Sequence, residues 1–378
     1  MQKSIASENV IQNYLDSLYV ISHSGSTVHI YRSAINHFKK FIQIRYSKSL
    51  DKIISELKDN KLDQYEILKE FVIYLDKAGK KPASIKIWIG GTKGFLRHCG
   101  IKIYSEDFQA KVRLPKIHHQ REEPLTKEIL VRLLNNVSVK IRTMILCATA
   151  SGMRIGEIVQ FKLSDIDFES NPTKIRLRSE ITKTREARET FLTNEATKAL
   201  KDYLTKSYDW IDGEPNHKLV NIVIFGRQEL SQTSNSVSKK TPLQYTVSMV
   251  NNSMKKYIKN IPKLAKRNEN GRYMIHFHAF RKFFRTEVGN AVGRDYAEAL
   301  MGHHFYLDTY YNLPEEKKRE MYLQAEPFLT ISDYAQIEKD LRSVKQRQKQ
   351  IEEKHLDLIQ LIKDEHVKLP ASLEKYVK

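Results

Sequence analysis

At 378 residues, 40% of them hydrophobic and with no apolar run near the ~20 needed to span a bilayer, the chain has room for two packed domains and an appendage, and no membrane is expected among its partners. Its 64 Lys and Arg against 45 Asp and Glu leave +19 at neutral pH, which points to a polyanionic partner, nucleic acid first. Two lone cysteines, Cys99 and Cys147, exclude a disulfide framework and a thiolate zinc site. The opening MQKSIASENV lacks the apolar stretch of a signal peptide, so the expected location is cytoplasmic, at the nucleoid.

Taken in chain order, SENVIQNYLDSL (7–18) offers Ser7 as an N-cap and sets Val10, Ile11, Tyr14, Leu15 and Leu18 on one helical stripe. Val28, Tyr31, Ile35, Phe38 and Ile42 repeat that spacing. A third helix fits Tyr65 to Asp76, and a fourth Pro82 to His98, with Pro82 near its first position and Gly100 just past its end. These predict a four-helix domain over residues 1–113. The polar, proline-bracketed stretch 114–125 reads as a linker.

Beyond it the pattern is mixed, so the expected fold class is mainly α with a small β-hairpin. Helices fit 126–137 and 139–150. The alternating runs KIRLRS (174–179) and ETFLT (189–193) predict a hairpin, and further helices fit 194–206, 243–259, 278–289 and 294–301. The Ser-, Gln- and Thr-rich stretch 227–242 predicts a loop, and 126–330 forms the second domain. From residue 337 a 4-3 spacing of Ile, Leu and Val, broken by Gln348 and His355, predicts a coiled-coil helix over 331–366 with a tail at 367–378.

Charge separates the segments. Residues 1–113 hold 19 basic and 11 acidic side chains (+8), 114–330 hold 35 and 25 (+10), and 331–378 hold 10 and 9 (+1). The first two segments carry the polyanion-binding charge, whereas the near-neutral coiled coil is suited to protein contact.

Seven positions from residue 154 onward suggest chemistry, two of them alternatives for one tyrosine. They stand as ASGMRIGE (Arg154), ITKTREARETFL (Lys183), IHFHAFRKFFRTE (His278, Arg281), LMGHHFYLDTYYNL (His303) and the tyrosines Tyr310 and Tyr311. Alone, each has an ordinary reading: a solvated arginine, a hairpin lysine, a surface HxxR, a packed tyrosine pair. Together they supply guanidiniums that clamp phosphate oxygens bidentately, proton donors and acceptors, and a phenol nucleophile. His276 and His278 have neither a cysteine nor a carboxylate at ligand spacing, so no metal is expected.

These motifs resemble the tyrosine recombinase (phage integrase) family. ASGMRIGEI is similar to its first arginine motif, HAFR to its HxLR box with Phe280 replacing the usual leucine, and LMGH to its LGH box. The YYNLP ending resembles archaeal-type integrases, and the helical residues 1–113 resemble the family's core-binding domain. Tyr310 and Tyr311 follow His303 by seven and eight residues, slightly short of the usual spacing, and Asn312 follows them.

The resemblance implies a site-specific recombinase with double-stranded DNA as partner, no cofactor or metal, and protomers that self-associate on DNA as a tetramer in synapsis, with coiled-coil contacts between them. Tyr310, with Tyr311 as alternative, would attack a phosphate to give a 3′-phosphotyrosyl bond. His278 would accept the phenolic proton, Arg154, Arg281 and His303 would neutralise the transition state, and Lys183 would protonate the departing 5′-oxygen. Glu157 would orient Arg154. A type IB-like topoisomerase, and a non-catalytic DNA-binding protein on an integrase scaffold, share much of this residue set and remain open.

Overall fold

The computed structural model describes residues 2–117, 123–212, 219–226, 242–262, 264–267, 273–302, 313–332 and 347–352. The chain divides into two compact units, one of residues 1–121 with 235–244 and the other of residues 122–234 with 245–378. Among the described residues, no helix is long and apolar enough to cross a membrane.

The first unit is all helical: α1 (Gln2–Ser22), α2 (Gly25–Tyr46), α3 (Leu50–Lys58), α4 (Gln64–Lys77), α5 (Pro82–His98) and α6 (Ser105–Lys111). Four match the periodic segments, although α1 begins before Ser7. The short helices α3 and α6 are additional. Ser49 starts α3 by accepting the Lys52 N–H, and its inward stripe is only Leu50, Ile53 and Leu57. The core is built on Leu15, Ile35, Phe38, Phe71, Leu75, Ile85 and Phe95. Helices α2 and α5 approach closely at Gly91, where an added Cβ would sit 2.9 Å from the Ala34 methyl.

The second unit holds α7 (Lys127–Leu134), α8 (Val139–Ser151), α9 (Ile155–Ile158), strands β1 (Ile166–Asp167), β2 (Lys174–Leu177) and β3 (Arg188–Phe191), then α10 (Asn194–Tyr208), α11 (Pro242–Lys259), α12 (Phe277–Val292), α13 (Arg294–Met301) and α14 (Glu315–Leu329). The antiparallel sheet runs β1-β2-β3, with Ile175 opposite Thr190 and Leu177 opposite Arg188. Its two long strands occupy the expected hairpin.

From Thr143 onward helix α8 is buried on all sides, as its run TMILCATAS requires, and α10, α12 and α14 pack around it. Helix α14 was not expected: Pro327 lies inside it and its buried positions are only Tyr322, Ala325 and Leu329. Tyr322 is fully buried and donates its hydroxyl to the Ala150 carbonyl at 2.7 Å, tying α14 to α8. At its start, the buried Lys174 ammonium lies 2.6 Å from Glu315. At its end, the Glu195 carboxylate accepts the backbone N–H groups of Ile331 (2.8 Å) and Ser332 (3.1 Å).

Residues 347–352 are helical, with the seam residue Ile351 67% exposed. Apart from Ile331 and Ser332, the rest of the expected coiled coil, the 367–378 tail and nearly all of the 227–242 stretch lie outside the described residues, as does 118–122 of the linker.

Candidate active site

The site is assembled where α8 ends. Gly152 caps that helix with φ of +64°, and an added Cβ would lie 2.5 Å from the Phe284 ring, so both conformation and space require glycine. The turn presents the Gly152 carbonyl to the protein interior and delivers Arg154 two residues later as the N-cap of α9. Thr190 of β3 donates to the Ser151 carbonyl at 2.8 Å, which registers the sheet against the same turn.

Arg154 is held by Glu157. The backbone N–H of Arg154 donates to Glu157 Oε2 at 2.7 Å, and its Nη1 lies 3.1 Å from Oε1. The backbone half of this contact is half of a capping box, here with arginine at the cap. Glu157 is 1% exposed. Burial pulls its proton affinity up, but the Arg188 ion pair and the Arg154 contacts outweigh burial and hold it below the usual carboxylate range.

Arg281 lies one turn into α12 and is 2% exposed. It donates Nη1 to the Gly152 carbonyl and Nη2 to the Met301 carbonyl, the latter at 2.7 Å. It therefore bridges the end of α8 to the end of α13. Burial, then the nearby Arg154 charge, bring its proton affinity down to about 9, still far enough above neutrality to keep the guanidinium charged.

Sequence reasoning missed Arg188. It forks both nitrogens onto Glu157, Nη1 to Oε1 at 2.9 Å and Nη2 to Oε2 at 2.7 Å, and donates Nε to the Leu300 carbonyl at 3.0 Å. The available signal was strand parity: Arg188 shares a face of β3 with fully buried Thr190. Three guanidiniums around one carboxylate leave two net positive charges (3 − 1), an electrostatic seat for an anion.

Two further expected residues, Lys183 and His278, are described, each on the element that carries an arginine of this cluster. Lys183 is exposed in the β2–β3 turn, where Thr182 Oγ1 lies within hydrogen-bond distance of the carbonyls of Ser179 (3.1 Å) and Glu186 (2.9 Å). The same hairpin carries Arg188. His278 is exposed on the first turn of α12, three residues before Arg281, its ring 6.2 Å from that of His276. Both lie at i and i+3 as expected, but only Arg281 is buried.

His303, Tyr310 and Tyr311 lie outside the described residues. Their described flanks are both seated on the core of this unit. Met301 is buried, Gly302 caps α13 at φ +65°, and Leu313 packs against the core just before α14. The Arg285–Glu298 ion pair joins α12 to α13 beside this flank, with Glu298 3% exposed. Among the described residues no cluster of His, Cys, Asp and Glu has metal-holding geometry.

Residues 123–309 match the model of the phage integrase family. The chain is similar to the tyrosine recombinase XerA of Saccharolobus solfataricus, 24% identical over 198 residues, a match that covers 50% of this chain and 62% of that protein. Less than two thirds of that relative's length is therefore spanned. Among solved structures, the fold is similar to lambda integrase in a tetramer bound to a Holliday junction, with a TM-score of 0.51 at 16% identity over 82% of this chain and 80% of the other. A crystal structure of a XerA recombinase matches over 84% of this chain and 98% of its own, at 20% identity and a TM-score of 0.35.

Proposed function

Residues 123–309 belong to the phage integrase family, and from that premise we propose that the chain is a site-specific tyrosine recombinase, cutting and rejoining double-stranded DNA through a 3′-phosphotyrosyl intermediate. The observation that carries this reading is the guanidinium cluster around Glu157. Arg154 and Arg281 meet at one turn, Glu157 and two backbone carbonyls fix their orientation, and with Arg188 sharing the one carboxylate the cluster stays net positive. Such a preorganised pair suits a phosphodiester transition state, whose equatorial oxygens gather negative charge.

In this mechanism Tyr310, with Tyr311 as the alternative, attacks the scissile phosphorus and displaces the 5′-oxygen. A phenol holds its proton to a pKa near ~10, so its proton must be received as it attacks, and His278 takes it. Arg154, Arg281 and His303 neutralise the pentacovalent phosphorane, and Lys183 gives a proton to the departing 5′-oxygen. The phosphotyrosyl bond conserves the energy of the broken phosphodiester, so a 5′-hydroxyl of the same or another duplex reseals it without ATP or metal.

The helical residues 1–113 act as the core-binding part, 114–125 as linker and 126–330 as the catalytic part. Lambda integrase has been captured as a tetramer on a Holliday junction, and we extend that assembly to this chain, with residues 331–366 supplying coiled-coil contacts between protomers.

The experiment is a nicked suicide substrate carrying candidate attachment-site DNA, run on a denaturing gel for wild type, Tyr310→Phe and Tyr311→Phe. A covalent band lost in one mutant only is the expected result and names the nucleophile. Tight DNA binding with no covalent band on any selected site would leave a DNA-binding protein on an integrase scaffold.

A further inference from the structure

We propose that Arg188 is a positioning residue for the strand-cleavage reaction, setting Arg154 and the turn at Gly302 in one register. The inference rests on the recombinase reading above and adds a residue outside its reacting set.

Arg188 contacts three separate pieces of the site. Its fork closes on both oxygens of Glu157, the carboxylate that holds the backbone and guanidinium of Arg154. Its Nε donates to the Leu300 carbonyl, one residue from the Met301 carbonyl that receives Arg281. Its side chain also fills the space beside Gly302, where an added Cβ would lie 2.7 Å from Arg188 Cδ. Gly302 is therefore glycine for two reasons, its φ of +65° and this arginine.

The arginine also begins β3, five residues after Lys183 in the same hairpin. One side chain thus links the lysine-bearing hairpin, the first arginine turn and the chain entering His303. A lysine could supply the charge, but not two parallel bonds to a carboxylate with a third to a carbonyl. Positioning of this kind matters because a displacement of about 1 Å at a reacting group costs roughly 100-fold in rate.

A purely structural role predicts something different. If Arg188 only neutralised buried Glu157, removing both charges together would restore the protein fully. The test uses the full chain on a nicked suicide substrate, with single-turnover cleavage rate, DNA dissociation constant and melting temperature measured for wild type, Arg188→Met and the double variant Glu157→Gln/Arg188→Met.

The expected result is a single variant of lowered melting temperature and a double variant that recovers it. Both should bind DNA within about threefold of wild type and cleave roughly 100-fold slower. A double variant that cleaves at the wild-type rate overturns the proposal in favour of a structural ion pair, and one that fails to recover its melting temperature overturns it because its slow cleavage then follows from impaired folding. Absence of a covalent product from the wild type itself would instead remove the recombinase reading on which the proposal stands.

Discussion

Glu157 grips Arg154 at two points, the backbone N–H at 2.7 Å and the guanidinium at 3.1 Å, from a position 1% exposed to solvent. The carboxylate is shared with Arg188, so the partly exposed Arg154 is braced by an ion pair that is itself buried.

Replacing Glu157 with Ala leaves Arg188, itself 9% exposed, with no carboxylate. Breaking a buried pair from one side costs about 3–5 kcal/mol. Urea unfolding should show that loss, and a change under 1 kcal/mol would mean that water reaches the pair.

The same carboxylate predicts a pH dependence. Its folded pKa lies below the unfolded value near ~4.3. The unfolded chain therefore binds the proton first, and the pair's stability is complete above about pH 4.3 and drains away as pH falls through the folded value. Wild type should lose stability more steeply than Glu157→Gln below that pH, and parallel curves would contradict the assignment.

Glu326 has the opposite sign. Burial raises its pKa against the opposing Asn194 N–H, so it costs stability when ionised, and the cost vanishes as pH falls. Glu326→Gln should melt higher than wild type at pH 7, with the advantage gone below about pH 4.3, the usual carboxylate range.

Gly152→Ala combines two penalties, ~1–2 kcal/mol for a left-handed backbone and ~1–3 kcal/mol for overpacking against Phe284. It also moves the carbonyl that receives Arg281. Thermal melting and cleavage should fall together, and a stable but inactive variant would separate the two effects.

Arg281→Lys keeps the charge yet cannot bridge the Gly152 and Met301 carbonyls. One buried carbonyl is left unpaired, at ~1–3 kcal/mol, and cleavage should drop roughly 100-fold through misplacement. Unchanged cleavage would remove Arg281 from the phosphate seat.

Much of the scaffold was legible because its signals are local. Pro82 and Gly100 bracket α5, alternation marks β2 and β3, and the apolar run of α8 announces a buried helix. Helix α14 was hidden because Pro327 interrupts a stripe of only three inward residues, and α3 because nine residues carry too little period to stand out. At the candidate site the sequence put Arg281 one turn after His278, and the helix is there. Burial of Arg281 follows from carbonyls on α8 and α13, about 130 and 20 residues distant in the chain. Arg188 was overlooked for the same reason: its partners Glu157 and Leu300 are visible only once the sheet is folded against α8 and α13.

The Glu195 carboxylate that accepts Ile331 and Ser332 also closes a long loop. It holds the segment leaving α14 to the first turn of α10, with Glu195 and Ser332 lying 137 residues apart in the chain. The entropy lost in closing such a loop grows only slowly with its length, so most of the chain between these two points could lengthen or shorten at little cost while the closure itself stayed fixed by one side chain.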